Sequence, residues 1–329
     1  MNNELNIIKD SIGVDVGGTK VAVGLVSHDG EIITSMIGET DTTNQTATLD
    51  CIASIVNNFI ESKNIDINGM DAIGFGIPGL VDPEMGIGLA SVNLNWENVP
   101  VRDELTKRIQ KPCVIDNDVR TGAIGEGIYG HAKNLNNYIY INVGTGVSAV
   151  IIQERKVFKG ENGLAGEIGH AIIDPHGPIC KCGGRGCLEA VVSGPAIAHR
   201  ANEKLLHNHY EAVHTEELNV IGNISPEIVF KLAQTGNQIA IETLQEVGDA
   251  IAYALQYLAL AFDPELIVLA GGVFMGGDIL TDYIHQQLHT LARNSWVFNS
   301  IYRPDLVRKS ALGANAGVLG AAALVALSN

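Results

Sequence analysis

Thiols, aromatic rings and positive charge are all scarce in this chain. It has five cysteines, two tryptophans and only 5% aromatic residues, and 37 acidic side chains outnumber 21 lysines and arginines. The formal net charge of -16 repels a phosphodiester backbone, which excludes general nucleic-acid binding. An anionic ligand must therefore be held by local backbone dipoles or by a bound cation. The opening MNNELNIIKD lacks the basic start and apolar stretch of a secretory signal. The longest apolar run, near Val318 to Leu327, falls short of the ~20 residues that span a bilayer. These absences predict a cytoplasmic protein with no membrane partner. In that reducing setting five cysteines argue for metal binding or free thiols over a disulfide framework.

What remains is ample for a large core. The chain has 329 residues, 46% of them hydrophobic and 18% charged, which suits two domains of ~150 residues each. SIGVDVGGTKVAVGLVSHDGEII (11–33) predicts three strands broken by turns. Residues 48–63 carry apolar side chains at helical spacing. DAIGFGI and KPCVIDND predict further strands, and NYIYINVGTGVSAVII (137–152) a second strand, glycine turn and strand. Ser225 and Pro226 mark a helix start, residues 237–262 a long helix ended by Asp263-Pro264, and ELIVLAGGV a buried strand. A small-residue helix closes the chain. Strands alternating with helices mean an α/β fold.

One repeat stands out. Val14-Asp15-Val16-Gly17-Gly18-Thr19 aligns with Ile141-Asn142-Val143-Gly144-Thr145-Gly146, which suggests two similarly folded domains. At Gly17-Gly18-Thr19-Lys20, bare backbone amides can approach a phosphate. Thr19 adds a hydroxyl, and Lys20 either adds charge or faces solvent. Gly144-Thr145-Gly146 can act likewise, and Gly271-Gly272 makes a third such turn; the plain alternative for each is a tight hairpin. Asp15, between two valines, is expected to be partly buried, facing either the Mg2+ of a nucleotide or its own glycine amides in an Asx turn. GFGIPG (74–79) matches a dinucleotide fingerprint by spacing, but LVDPEMGIG after it cannot open the required helix. GGTK is not a Walker A loop.

His170, Cys180, Cys182 and Cys187 form H-x9-C-x-C-x4-C. Three thiolates and one imidazole satisfy tetrahedral Zn2+ with no open position, which describes a structural site. A Cys182–Cys187 disulfide or free thiols are the alternatives. Glu167 and Glu189 flank this loop, so a metal fixing its ends also fixes two carboxylates, suited to sugar hydroxyls if they are not ordinary surface acids. Cys51 and Cys113 read as core thiols. Asp118 follows a strand and precedes a helical stretch, which fits either a general base or a helix N-cap; Asp116 competes for the base role.

DVGGTK, GIPGLVD, NDVRTGAIGE, NVGTGVSA, GLAGEIGH, CKCGGRGCLEA and LAGGV together resemble the ROK family (repressors, open reading frames and sugar kinases) over nearly the whole chain. The resemblance implies an actin-like/hexokinase-like ATPase fold, two α/β domains with a cleft between them. It divides the chain into residues 1–118, with helix 312–329 packing back, and residues 119–311, carrying the zinc loop 167–189. It implies ATP phosphates held by the first two glycine turns, with Ala270 to Gly272 bordering the adenosine. It makes Asp118 the general base, because the family's base directly follows Asn. Gly79, Asn117, Glu167, His170 and Glu189 match sugar-binding positions, with His170 serving both sugar and zinc. The implied reaction is ATP- and Mg2+-dependent phosphorylation of a hexose, glucose first, then N-acetylmannosamine or N-acetylglucosamine. Fructose ranks lower because fructokinase relatives tend to replace the C-x-C pair. Kinases of this family are usually homodimers. Family repressors carry a DNA-binding segment before the first glycine strand, which here begins by about Ser11, so the regulator role is not the expected one.

Overall fold

The computed structural model describes residues 9–207 and 224–327, so the outermost residues assigned to the first domain, 1–8 and 328–329, lie outside the described chain. Among the described residues no helix is long and apolar enough to cross a membrane. The chain divides into two compact units, residues 1–134 with 310–329, and residues 135–309.

The first unit is built on strands β1 (Ser11–Val16), β2 (Lys20–Val26), β3 (Ile32–Glu39), β4 (Ile73–Ile77) and β8 (Cys113–Asn117), in the order β3-β2-β1-β4-β8. β1, β2 and β3 pair antiparallel, whereas β1, β4 and β8 run parallel. A small antiparallel sheet, β5 (Leu80–Asp82), β6 (Ile87–Ser91) and β7 (Trp96–Val99), is inserted after β4. Helices α1 (Gln45–Ser62), α2 (Val101–Ile109) and α3 (Asp118–Tyr129) complete the first pass through this unit.

The central strands explain how the layers fit. In SIGVDV and IGFGI large apolar residues alternate with small or polar ones. A strand's period of two sends each set to one face. Ile12, Val14, Val16, Ile73, Phe75 and Ile77 are buried in one cluster with Leu49, Ile52, Val56 and Phe59 of α1 and Leu105 of α2. The opposite face presents Gly13, Asp15, Gly74 and Gly76. Against it lies the closing helix α10 (Ala316–Leu327), made almost entirely of small and aliphatic residues. A Cβ on Gly74 would collide with the carbonyl of Ala321, so helix backbone touches strand backbone directly. α3 packs on the same helix, with Gly320 against the carbonyl of Thr121. The boundary predicted at Asp118 therefore falls too early. α3 belongs with the first unit because its packing partner is α10.

The second unit repeats the plan. β9 (Tyr138–Val143), β10 (Val147–Gln153), β11 (Lys156–Val157), β12 (Leu266–Ala270) and β13 (Val307–Lys309) form a sheet ordered β11-β10-β9-β12-β13. β9, β10 and β11 are again antiparallel, and β9, β12 and β13 parallel. Asp15 pairs with Gly76 of β4 as Asn142 pairs with Ala270 of β12, so the aligned sequence segments occupy equivalent places in the two sheets. The helices of this unit are α4 (Leu188–Val192), α5 (Gly194–His207), α6 (Pro226–Gln234), α7 (Gln238–Phe262), α8 (Ile279–Asn294) and α9 (Trp296–Ile301). α7 ends where expected, with Asp263 in the left-handed conformation at φ 44°. Ser225 stands at the N-cap of α6, but its side chain makes no capping hydrogen bond. Cys113 is buried, whereas Cys51 is only partly so, its thiol donating to the carbonyl of Glu39.

Candidate active site

In open α/β sheets ligands gather at the carboxyl ends of the parallel strands. In the first unit that edge assembles three separate sequence segments. Gly17 follows β1, Gly79 lies just past β4, and Asn117-Asp118 ends β8 and opens α3. The register fixes this grouping, since Asp15 pairs with Gly76, Gly76 with Asp116, and Ile77 with Asn117.

Asn117 takes the capping place that its neighbour could have filled. It is the N-cap of α3, its Oδ1 accepting from the amides of Val119 and Arg120 at 3.0 and 3.1 Å. Its Nδ2 donates to the carbonyl of Gly79 and to Oδ1 of Asp118, both at 2.8 Å. The cap position is therefore taken, and Asp118 sits inside the first turn with a carboxylate that Asn117 orients. Burial, reinforced by the nearby Asp15 carboxylate, pushes Asp118 up to about 7. Asp15 lies on the glycine face of β1, against Gly317 in the first turn of α10, and burial pushes it up to about 6. It accepts no hydrogen bond from the described residues, so the Asx turn is not formed. Asp116, the competitor for the base role, is instead ion-paired to Arg120 at 3.0 Å and accepts from the Asn117 amide at 2.7 Å. Arg120 also donates to the carbonyl of Val81. Asp116 lies on β8 and Arg120 on α3, so no helical spacing announced this pair in the sequence.

The first glycine turn is closed by the Gly17 amide donating to the Lys20 carbonyl at 2.8 Å, and its Gly17 and Thr19 carbonyls accept from Thr40. The amides of Gly18 and Thr19 take no part in this pairing. Thr19 and Lys20 are exposed, so Lys20 faces solvent.

In the second unit the Gly144 amide donates to the Gly146 carbonyl at 2.9 Å, and the Gly144 carbonyl accepts from Gly194 at the start of α5. The amides of Thr145 and Gly146 stay outside this pairing. Gly271 follows β12 beside this turn, at φ 99°, and a Cβ there would collide with the Val143 carbonyl. Close backbone packing alone therefore demands a glycine at 271. Glu189, in the first turn of α4, accepts from the Val147 amide at 3.1 Å through Oε2. The carboxylate is thus tethered to the second glycine turn, an attachment its position two residues after Cys187 did not foretell. Glu167, which immediately precedes a short 3-10 segment (Ile168–His170), and His170 at the end of that segment are both exposed.

The loop between them folds back through main-chain bonds. Gly186 donates to the Pro178 carbonyl and accepts from Ile173 and Asp174, with φ 71° and no room for a Cβ against Asp174. This brings one donor atom from each of His170, Cys180, Cys182 and Cys187 within 4.8 Å of the others. Cys182 and Cys187 sulfurs are 3.7 Å apart, and Cys180 sulfur lies 3.8 Å from His170 Nδ1. A disulfide requires about 2.05 Å, so the pair is not bonded. Thiolates at 2.3 Å from a tetrahedral centre lie about 3.8 Å apart. The cluster fits a structural zinc, with Nδ1 the His170 nitrogen that lies beside the Cys180 sulfur.

The sequence pattern of the ROK family matches residues 11–327. The chain belongs to the ROK family. It is 33% identical over 322 residues to a glucokinase of Thermotoga maritima, covering 95% of this chain and 96% of the relative. The crystal structure of a ROK family glucokinase from Streptomyces griseus, in complex with glucose and AMPPNP, superposes with a TM-score of 0.81 at 30% identity. That match covers 96% of this chain and 98% of the other. A xylose repressor of Caldicellulosiruptor bescii is 28% identical over 319 residues, covering 95% of this chain and 77% of its own length. The mixed α/β architecture accordingly matches ROK hexokinase-like, actin-fold ATPase structures.

Two outcomes follow from this geometry. Elemental analysis of the purified protein is expected to find one zinc per chain, and Cys182→Ser to lower both zinc content and Tm; a metal-free protein of unchanged Tm would contradict the assignment. Asp118 gives a pH signature. The folded state keeps this proton up to about pH 7, whereas the unfolded chain releases it above about 4, so its contribution to stability falls as pH rises through that window. Asp118→Asn removes the dependence. Its Tm should exceed that of the parent by a few degrees at pH 8 and by little at pH 4, and a difference independent of pH would count against a raised Asp118.

Proposed function

We propose that this protein phosphorylates a hexose from ATP, with glucose as its first substrate and Asp118 as its general base. The observation that carries the proposal is a carboxylate at the end of a central parallel strand, oriented by Asn117, relieved of capping duty and held near neutrality by burial. A base is most effective when its proton affinity lies near the working pH.

The residues on each unit divide the labour. On the first, the Gly18 and Thr19 amides would hold phosphate oxygens, and Asp15 would face the accompanying Mg2+. On the second, Thr145 and Gly146 would do the same, with Gly271 and Gly272 beside the adenosine. ATP with Mg2+ supplies the phosphoryl group when bound. Asp118 accepts the proton of the attacking sugar hydroxyl, and Asn117 and Gly79 hold that carboxylate in line. Glu167, the Nε2 of His170 and the untethered oxygen of Glu189 would take sugar hydroxyls, each made rigid by the metal-bound loop or the glycine turn. Rigid placement of donors and acceptors is the chief catalytic resource in phosphoryl transfer, where the protein makes little covalent contribution. Zinc has a structural role here, since four protein ligands leave no position for substrate.

The kinship with xylose repressors offers a regulator as the second reading. The net charge of -16 disfavours a direct hold on DNA by the residues present. ATP consumption measured across glucose, N-acetylmannosamine, N-acetylglucosamine and fructose separates the two. Glucose-dependent turnover is expected, falling at least about a hundredfold in Asp118→Asn with sugar affinity retained. No sugar-dependent turnover, or near-parental kcat in the variant, would overturn the proposal.

A further inference from the structure

The chain leaves the first unit after residue 134 and re-enters it at residue 310. Both connections are fastened by one side chain. Glu126, on α3, has no solvent exposure. Its Oε2 accepts from the His131 amide at 3.0 Å, on the outgoing segment. Its Oε1 accepts from the Ser310 hydroxyl and from the Leu312 amide at 3.2 Å, on the returning segment. The Glu126 main-chain carbonyl adds bonds from the amides of Gly130 and Ala132 at 3.1 and 3.2 Å. Ser310 extends the network, its Oγ also accepting from Leu312 and Gly313.

Burying a carboxylate is costly unless donors saturate it. Here three donors meet it, the His131 and Leu312 amides and the Ser310 hydroxyl. Helix ends are normally capped by cheaper means, such as a left-handed glycine. What the carboxylate adds is a joint between the outgoing segment at His131 and Ser310, which lies 184 residues beyond Glu126 in sequence. Asp118 stands eight positions earlier on the same helix, about 12 Å along its axis. α3 is thus one rigid rod with the proposed base at one end and both exits at the other.

We propose that Glu126 is a positioning residue that clasps the two connecting segments to the helix bearing Asp118, so that movement at the connections and placement of the base are mechanically linked. The functional half of this proposal rests on the kinase reading; the clasp itself does not. Domain closure in such enzymes is absorbed by a few residues in the connecting segments. Segments anchored to one carboxylate have a fixed pivot, whereas unanchored ones would let the base drift from its line of attack.

The test uses the full chain with Glu126→Gln, which places an N–H where one of the accepting oxygens was, and the milder Ser310→Ala. Hydrogen exchange should show segments 130–134 and 310–313 losing protection together in both variants. In turnover assays kcat should fall about tenfold or more, with the hexose KM within about threefold and zinc content unchanged. ATP consumed per sugar phosphorylated should also rise above one. Loss of protection in one segment alone would overturn the clasp. Joint loss with parental kcat and parental ATP stoichiometry would reduce Glu126 to a stability residue and overturn the linkage. If the parent phosphorylates no hexose, the kinase reading fails, and the exchange result still decides whether one side chain holds both segments.

Discussion

The contact of α10 with the glycine face of β1 and β4 is the constraint on which the first unit depends. Because Gly13 and Gly74 carry no side chain, helix backbone rests on strand backbone. That closeness removes water from around Asp15, which shares the face with them, and from Asp118 at the start of α3, which packs on the same helix. Desolvation is the largest cause of the raised proton affinity of both carboxylates. The packing that closes the fold therefore also sets the chemistry of its edge. A bulkier helix would stand farther off, admit solvent, and return both groups toward ordinary acidity.

The second unit solves a different problem with different means. Its sheet repeats the order and sense of the first, yet at the place of Asp15 it carries Asn142, and its acid comes instead from Glu189, outside the sheet. A long loop brings that acid in. The Cys/His cluster and the tether from Val147 to Glu189 hold the two ends of this loop against the glycine turn. The repeated plan thus places one glycine turn in each unit, and the inserted loop supplies what distinguishes one half from the other.

Much of this was legible beforehand, for identifiable reasons. The strands β1, β4 and β9 declare themselves by apolar residues alternating with glycine or bounded by it, and H-x9-C-x-C-x4-C is a spacing few purposes other than a metal demand. Asp118 was open between general base and helix N-cap because an aspartate between a strand and a helix suits both, and only three-dimensional bonding shows that Asn117 takes the cap. The boundary between units was misjudged because no linker composition marks it; α3 is assigned by a helix nearly 200 residues later. Glu126 escaped notice for the same reason. In sequence it is one acid in an ordinary helix, and its partners Ser310 and Leu312 are too distant to suggest themselves.

Packing raises the proton affinity of Asp118 to about 7. Carbon-13 NMR of protein labelled at its aspartate carboxyls measures this directly, with the Asp118 signal assigned by its loss in Asp118→Asn. A titration near 7 is expected, moving to lower pH in Asp15→Asn, since the Asp15 charge contributes to the rise. A titration near 4, indifferent to Asp15, would contradict it.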